Sequence, residues 1–560
     1  MKIDEKLIFE NFDVWTSVEK ANLNSGRHSS NVNFEHYGTK KIRELVFHLA
    51  FRGLLTNQKP SDESVDKLFE KINLKKKKLI ESGSLKKKKS LPAITDKEKP
   101  YSLPESWRWI RLPEIYYLIS PGKKKIKTSD IQRSGKYPVV DQGQKFISGF
   151  SNDEKLVIGV PEPLIIFGDH TKNIKYIDFN FIPGADGTKI LCPIVIFPSY
   201  FYNYLLHFDL EGRGYARHFK ILNENLIAIP PLEEQYRIVA KIDELMEICN
   251  KLEQKKESTQ EAKKLLLTSL LSSLTSLSAG KFEFTKSWKI IQENFDTLFT
   301  TERSVDQLEQ TILKLAFMGK LIPQDPNDKN DITILESITK EKDQLIKEGI
   351  IKSGKSLPTI SNNEKPFELP DNWVWLPLND IGYNWGQIEP NKSFTYIDVS
   401  SINNERGIIF DPKVLAPEEA PSRARKIIKE GTVIYSTVRP YLLNVAVVDK
   451  TFNPTPIAST AFAIIHPFKV VLASYIYYYL RSPTFINYVK SCQTGIAYPA
   501  INDKQFFSGL IPIPPLKEQR RILSKLKKFI DLCEKLKENI SKKQNTQIKL
   551  ADSLVDEAFK

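Results

Sequence analysis

A chain of 560 residues has room for three or four domains, each with its own core, and 41% hydrophobic content with 33 prolines excludes a disordered protein. Lysine and arginine outnumber aspartate and glutamate by 82 to 68, giving a formal charge of +14 and a pI near 9.2, which favours a polyanionic partner but says nothing about fold. No apolar run reaches the ~18 residues of a membrane span, MKIDEKLIFENFD has no signal-peptide core, and Cys192, Cys249, Cys492 and Cys533 form no CxxC pair; a cytoplasmic, reducing setting without a membrane is expected.

In chain order, residues 1–101 read as a helical lead-in and basic linker. ENFD at Glu10–Asp13 is followed by a polar stretch from about Ala21 to His36, read as loop. Ile42, Leu45, Val46 and Leu49 then mark one helical face, which Gly53 closes. KKKK occurs at Lys75–Lys78 and Lys86–Lys89, in helical or linker stretches. SLPESWRWIRL (Ser102–Leu112) leads into a block at 102–229 whose short β-type runs, YPVV and LIIF among them, are broken by Gly, Pro and Asn. Pro230 and Pro231 cannot sit inside a helix, so one should begin directly after them, within a segment at 230–280. Its apolar residues Ile238, Ile242, Leu245, Cys249 and Leu252 step by four and three, then Lys256, Thr259 and Lys263 interrupt the stripe before Leu266 and Leu270 resume it. Such a seam buries only against another helix.

The chain then repeats itself. ENFD returns at Glu293–Asp296; Leu308, Ile312 and Leu315, closed by Gly319, follow at an offset of 266; ELPDNWVWLPL (Glu368–Leu378) keeps that offset. This second lead-in is assigned to 281–367 and the second mixed block, with GTVIYSTV and TAFAII, to 368–513. IPPLEEQYRIVAKIDELMEICNKLEQ at Ile229–Gln254 recurs as IPPLKEQRRILSKLKKFIDLCEKLKE at Ile513–Glu538, 284 residues on, and opens a long helix at 514–560 with seam residues Ile522, Leu526, Phe529, Cys533 and Leu536, continued by Ile540, Lys543, Gln547, Leu550 and Leu554. Each long helix finds its obvious partner in the other copy; an ordinary core helix is the alternative. The fold class is α+β. A similar frame around dissimilar inserts implies two heads of common architecture that read different things.

Catalytic text is scarce. Gly349–Ser356 satisfies GxxxxGK[ST], but it follows a charged helical run and precedes LPTISNNEKP, a poor helix start, so it is not expected to cradle phosphate. There is no HExxH, CxxC or dinucleotide fingerprint, and NPTP at Asn453–Pro456 lacks what an amino-methyltransferase NPPY needs. His170 in GDHTKN stands in the one loop of interest among the histidines and is read as a surface or core residue. Candidate DNA contacts are Lys123, Lys124, Lys125, Lys127, Arg133, Lys172, Arg213, Arg217, His218 and Lys220 in the first mixed block, and Arg423, Arg425, Lys426, Arg439, Tyr441, Lys490, Gln493 and Tyr498 in the second. Lys and Arg would hold phosphates while Arg, Asn and Gln at base edges choose sequence; any one of them alone is more often a solvated surface charge. A nuclease or methyltransferase with an unrecognised site, fused or stand-alone, and a coiled-coil adaptor are the competing readings.

With the repeats in view, the chain resembles the specificity (S) subunit of type I restriction–modification systems over nearly its whole length. The two PPLxEQxRI boxes (Pro230–Ile238, Pro514–Ile522) carry the resemblance, with GADGTKIL (Gly184–Leu191), GYARHFKIL (Gly214–Leu222), GTVIYSTVRPYL (Gly431–Leu442), GIAYPAI (Gly495–Ile501), LPESWRW and LPDNWVW. It implies two target-recognition domains, each reading half of a bipartite site in double-stranded DNA. It also implies long helices packed antiparallel as a coiled-coil spacer in a pseudo-twofold arrangement. The partners it implies are methyltransferase (M) subunits, two of them, and restriction/translocase (R) subunits; S-adenosylmethionine, ATP and Mg would be bound by those partners, with no cofactor, metal or catalysis in this chain. The long lead-in before the first domain departs from the shortest family members and suggests an extra surface for M subunits.

Overall fold

A computed structural model describes residues 15, 20–22, 33–86, 91–184, 187–208, 217–276, 281–328, 331–352, 360–495 and 499–559. The chain forms two compact α+β units, one of residues 1–259 with 543–560, the other of residues 260–542. The boundaries between them, at 259/260 and 542/543, fall inside the long helices.

In unit 1 the stretch expected as loop holds two short antiparallel strands, β1 (Lys20–Asn22) and β2 (Asn33–Glu35). Helix α1 (Tyr37–Phe51) buries Ile42, Leu45, Val46 and Leu49 and ends at Gly53, whose φ of +72° suits only glycine and whose Cβ, were there one, would lie 2.5 Å from Pro104 Cγ. Helix α2 (Val65–Glu81) starts at Ser64, which accepts from the Lys67 N–H. β3 (Arg108–Arg111) pairs antiparallel with β11 (Leu226–Ile229), and everything between them is the head. The head is built on β4 (Tyr116–Ile119), β10 (Thr188–Pro193), β7 (Leu164–Gly168) and β8 (Ile174–Ile177), a four-stranded sheet in that order, and on a three-stranded sheet of β6 (Gly149–Ser151), β5 (Tyr137–Val140) and β9 (Ile182–Pro183). Helices α3 (Pro198–His207) and α4 (Phe219–Asn223) complete it, and α5 (Leu232–Leu274) follows the Pro-Pro pair.

Unit 2 repeats the plan. Helices α6 (Lys281–Glu293), α7 (Phe295–Leu298), α8 (Glu302–Phe317) and α9 (Asp331–Lys347) precede β12 (Val374–Pro377), which pairs with β23 (Leu510–Ile513). Gly319, at φ +70°, repeats the 2.5 Å approach, now to Pro370. The head again carries a four-stranded sheet, here β13 (Gly382–Tyr383), β22 (Phe462–Pro467), β19 (Val433–Ser436) and β20 (Val445–Val447) in that order. Its second sheet differs from that of unit 1: four strands, β17 (Lys413–Leu415), β14 (Phe394–Ile397), β21 (Pro456–Ser459) and β18 (Ala424–Ile427), with a hairpin of β15 (Ile402–Asn403) and β16 (Ile408–Ile409). α10 (Ala473–Leu480), α11 (Pro483–Cys492) and α12 (Asp503–Ser508) lead to the last helix, α13 (Leu516–Phe559). Gly349, first glycine of the phosphate-loop match, terminates α9 in a left-handed conformation; Gly354–Ser356 lie outside the described residues.

The PPLxEQ box has an atomic rationale. Glu234 and Gln235, like Glu518 and Gln519, are fully buried. Glu234 accepts from Trp107 Nε1 (3.0 Å), Thr56 (3.1 Å) and Gln58 (3.1 Å), tying helix start, lead-in loop and β3 together. In unit 2, Asn372 donates to Glu518 and Trp373 faces it without completing the bond. Gln235 accepts from the Phe197 N–H (2.9 Å) and donates to the Pro230 carbonyl; Gln519 accepts from the Leu472 N–H (2.9 Å) and donates to the carbonyls of Val470 and Pro514. An ion pair repeats as well, Arg237 with Asp62 and Arg521 with Asp328.

The apolar stripes of the long helices are buried first against the lead-ins and heads. Ile238, Ile242, Leu245 and Cys249 share a core with Ile42, Val46, Ala50 and Phe51, joined by Ala551 and Val555 from the end of α13. Ile522, Leu526, Cys533 and Ile540 share the other with Val305, Leu308 and Ile312, joined by Leu267, Leu270, Leu271 and Leu274 from the end of α5. Leu252, Phe529 and Leu536 are half-buried. The expected register is only partly kept late in the helices: Leu270 is buried as expected, but Leu266 and Leu550 are exposed (49% and 44%), and Leu267 and Ala551 are buried instead. A straight helix drifts about 20° per heptad from a 3.5-residue repeat, so after four heptads the buried face has moved by nearly one residue.

Candidate nucleic-acid interface

The antiparallel ladders put the end of β7 beside the starts of β8 and β10 (Phe167 opposite Ile174, Gly168 opposite Thr188). They do the same in unit 2 for β19, β20 and β22 (Tyr435 opposite Val445, Ser436 opposite Phe462). Loops therefore gather at one end of the shared sheet in each head. In unit 1 these are 169–173, the turn after β5 and the segment at 217–218. His170 N–H and the Thr171 and Asn173 side chains all donate to Gln142, through its side chain (3.1 Å) and its carbonyl (2.5 and 2.9 Å). The Asp169 carbonyl accepts from the His218 N–H (2.8 Å). Lys175 is buried, donates to the carbonyls of Asp141 and Lys145, and has its pKa pushed down by burial; it fixes the neighbouring turn rather than offering charge to solvent.

In unit 2 the corresponding end gathers the loop at 437–443, the turn at 459–461 and the segment after α11. Arg439 N–H donates to the Pro499 carbonyl (2.8 Å), Ile501 N–H to Thr437, Thr437 to the Ala461 carbonyl and Thr460 N–H to the Arg423 carbonyl. Lys172 and Arg439 occupy the loop after the same sheet strand, and both have left-handed backbones (φ 61° and 48°). Non-glycine residues are held there at a cost of about 1–3 kcal/mol, and such positions concentrate at functional sites.

The remaining candidates divide. Lys123, Lys124, Lys125, Lys127, Arg133, Arg217, Lys220, Arg423, Lys490 and Tyr441 are exposed. Lys125 and Lys127 flank Ile126, whose N–H donates to Pro183 and which bridges to Gly184, placing that basic loop beside the end of β9; Lys124 reaches the Val157 carbonyl. Gln493, half-buried, leads into the bridge between Thr494 and Ala500. His218 departs from expectation: it is wholly buried, Nδ1 3.2 Å from the Asp169 carbonyl, because the segment turns inward to cap the loop. Arg425 is committed to Glu389 (3.0 Å), and Lys426 to the Phe462 carbonyl and Asp503. Arg213 and Tyr498 lie outside the described residues. Sequence reasoning passed over Gln142, Thr171, Asn173, Val438 and Thr460; the turn-forming run GDHTKN was the one signal available for the first loop. Among the described residues no cluster of His, Cys, Asp and Glu could hold a metal ion, and no helix is long and apolar enough to cross a membrane.

Such a molecule is a two-headed protein: one frame built twice, bearing unlike heads whose loops converge at matching sheet ends. The family model of the type I restriction modification DNA specificity domain matches it twice, at residues 104–262 and 380–544. The specificity subunits of the type I restriction enzymes EcoAI and EcoEI of Escherichia coli are 35% and 33% identical to it, each alignment covering 99% of both chains. The HsdS crystal structure from Thermoanaerobacter tengcongensis aligns over 82% of this chain and 98% of that one, at 19% identity and a TM-score of 0.38. On the full-length relatives, this chain belongs to the specificity subunits of type I restriction–modification systems, and is a recognition component rather than a catalytic one.

Proposed function

We propose that the two heads each read one half of a bipartite site in double-stranded DNA, through the loops gathered at the matching ends of their four-stranded sheets. The observation that carries this is the pairing of Lys172 and Arg439: unlike heads, one shared sheet, and a basic residue in a left-handed backbone in the same loop of each. Phosphate contacts from Lys123, Lys125, Lys127, Arg217, Lys220 and Arg423 would supply salt-dependent affinity, while Lys172, Arg439, Tyr441 and Gln493 stand where base edges would be read. The two long helices act as an antiparallel coiled-coil spacer in a pseudo-twofold subunit and fix the gap between half-sites, as dimer geometry does elsewhere. The subunit works in the cytoplasm with two M subunits and with R subunits, and S-adenosylmethionine, ATP and Mg²⁺ are bound by those partners.

The test is an exchange of residues 378–509, bounded by the frame contact of the Leu378 N–H with the Gly509 carbonyl (2.8 Å), for the matching segment of a relative, followed by long-read methylation mapping of the host DNA. One half of the methylated motif should change while the other half and the gap persist. Altered sequence in both halves would sink the reading.

A further inference from the structure

The repeat preserves one ion pair and inverts another. Asp62–Arg237 and Asp328–Arg521 have the same sign at equivalent positions in the two units. Between the lead-in helix and the long helix, however, Arg43 meets Glu253 at 2.9 Å in unit 1, whereas in unit 2 Glu309 meets Lys537 at 3.0 Å. Arg43 and Glu309 are equivalent at the lead-in offset of 266, and Glu253 and Lys537 at the helix offset of 284. The geometry is the same, each side chain is about a quarter exposed, and the charges are swapped. The inversion extends along the lead-in: Asp306, which also binds Lys537 at 2.5 Å, stands where the first copy has Lys40.

The apolar surfaces behind these pairs are alike. Phe51 packs edge-on against Tyr200 as Phe317 does against Tyr475, and both lead-in helices end on the same glycine–proline contact. These shared contacts would serve α8 on α5, or α1 on α13, as well as they serve the native pairs. The charges would oppose the exchange. In the exchanged arrangement Glu309 and Asp306 would face Glu253, and Arg43 and Lys40 would face Lys537, turning attraction into repulsion, at partly buried positions for Glu309, Glu253, Arg43 and Lys537 and at exposed ones for Asp306 and Lys40. An element that is neutral or favourable in the right pairing and repulsive in the wrong one is how related interfaces are kept apart.

We infer that the inverted pair is a pairing code that directs each lead-in helix to its own long helix, within this chain and against a second copy of it. The code does not depend on what the heads bind. The test uses the full-length chain, refolded from denaturant and treated with a zero-length carbodiimide cross-linker that joins amines to carboxylates in contact, with the links read by mass spectrometry. The parent should give the 309–537 link. Arg43→Glu with Glu253→Lys rewrites unit 1 in the signs of unit 2; it should keep its own 43–253 link but gain exchanged links, 253–309 and 43–537. Carbodiimide cannot join the like charges that face each other in the exchanged arrangement of the parent, so exchange is also read with photo-leucine in place of leucine, which links any neighbour whatever its charge. Two mismatched pairs bias the choice by roughly tenfold, so photo-links from the lead-in helices to the wrong long helix should rise about tenfold in the two-residue variant over the parent, and adding Asp306→Lys, Glu309→Arg and Lys537→Glu, which inverts the whole code, should return them to the parent level. Own links alone in the two-residue variant, or exchanged photo-links that persist in the fully inverted chain, would overturn the inference.

Discussion

The two units solve one problem with different degrees of closure. In unit 1 the buried glutamate of the PPLxEQ box receives a tryptophan, a threonine and a glutamine at 3.0–3.1 Å; in unit 2 its counterpart is held more loosely, by Asn372 at 3.4 Å with Trp373 and Gln324 turned toward it. Unit 1 also packs His48 edge-on against His207 (4.4 Å between ring centroids) where unit 2 has Lys314 donating to Thr275. The frame is thus shared in plan, with its buried glutamate held more tightly in the copy that carries the smaller head.

That difference can be broken deliberately. The largest effect is expected at Glu234. Replacing it by alanine strands the buried Trp107 N–H, at about 1–3 kcal/mol, while Thr56 and Gln58, less buried, can turn to water; unit 1 should melt below unit 2 by calorimetry. Glu518→Ala, whose donors stand farther off, should cost less, and equal losses would show that the two boxes are equivalent after all. Next, Arg439→Ala should relax one half of the methylated motif and Lys172→Ala the other, each by about 1–3 kcal/mol of discrimination, measured as methylation at mismatched sites.

Acid should separate the units too. Burial, reinforced by the charges of His48 and Arg52, holds the His207 imidazolium down to about 4, and burial with Arg52 also lowers His48. A histidine whose folded pKa is depressed stabilises the fold above its ordinary value of 6.5, and this stability is lost as pH falls from there toward the folded value. Unit 1 should lose about 1–3 kcal/mol over that window, and unit 2, with His466 alone so lowered, should lose less. Glu234 and Glu518, both pushed up chiefly by burial, work in the opposite sense, one in each unit. His207→Phe should flatten most of the unit 1 response to pH in thermal melts. The smallest effects concern the helices: Leu266→Ala and Leu550→Ala should change stability by less than about 0.5 kcal/mol, whereas Leu267→Ala should cost about 2–5 kcal/mol.

What was legible in the sequence follows from which forces are local. The Pro-Pro helix starts, the glycine stops at Gly53 and Gly319 and the first two turns of each stripe are fixed by backbone geometry and short-range periodicity, and they stand where the residue pattern puts them. The later seam did not, since a small drift per turn accumulates over four heptads and sequence spacing alone does not say whether a helix supercoils. The partner of the stripe was only half legible: the other long helix contributes its last turns, but α1 and α8 contribute most, and nothing in a heptad names the helix that will cover it. His218 looked like a basic contact because its neighbours are basic; its burial depends on the turn at Asp169, far off in sequence.

Gln235 and Gln519 grip their heads through the main chain, at Phe197 N–H in one case and at Leu472 N–H and the Val470 carbonyl in the other. A socket that holds only peptide groups is blind to the side chains it holds. Residues at the rim of either head can then drift, or a whole head can be replaced by another of different length, without a compensating change in the socket. The joint thereby leaves what the molecule reads free to change faster than the scaffold that carries it.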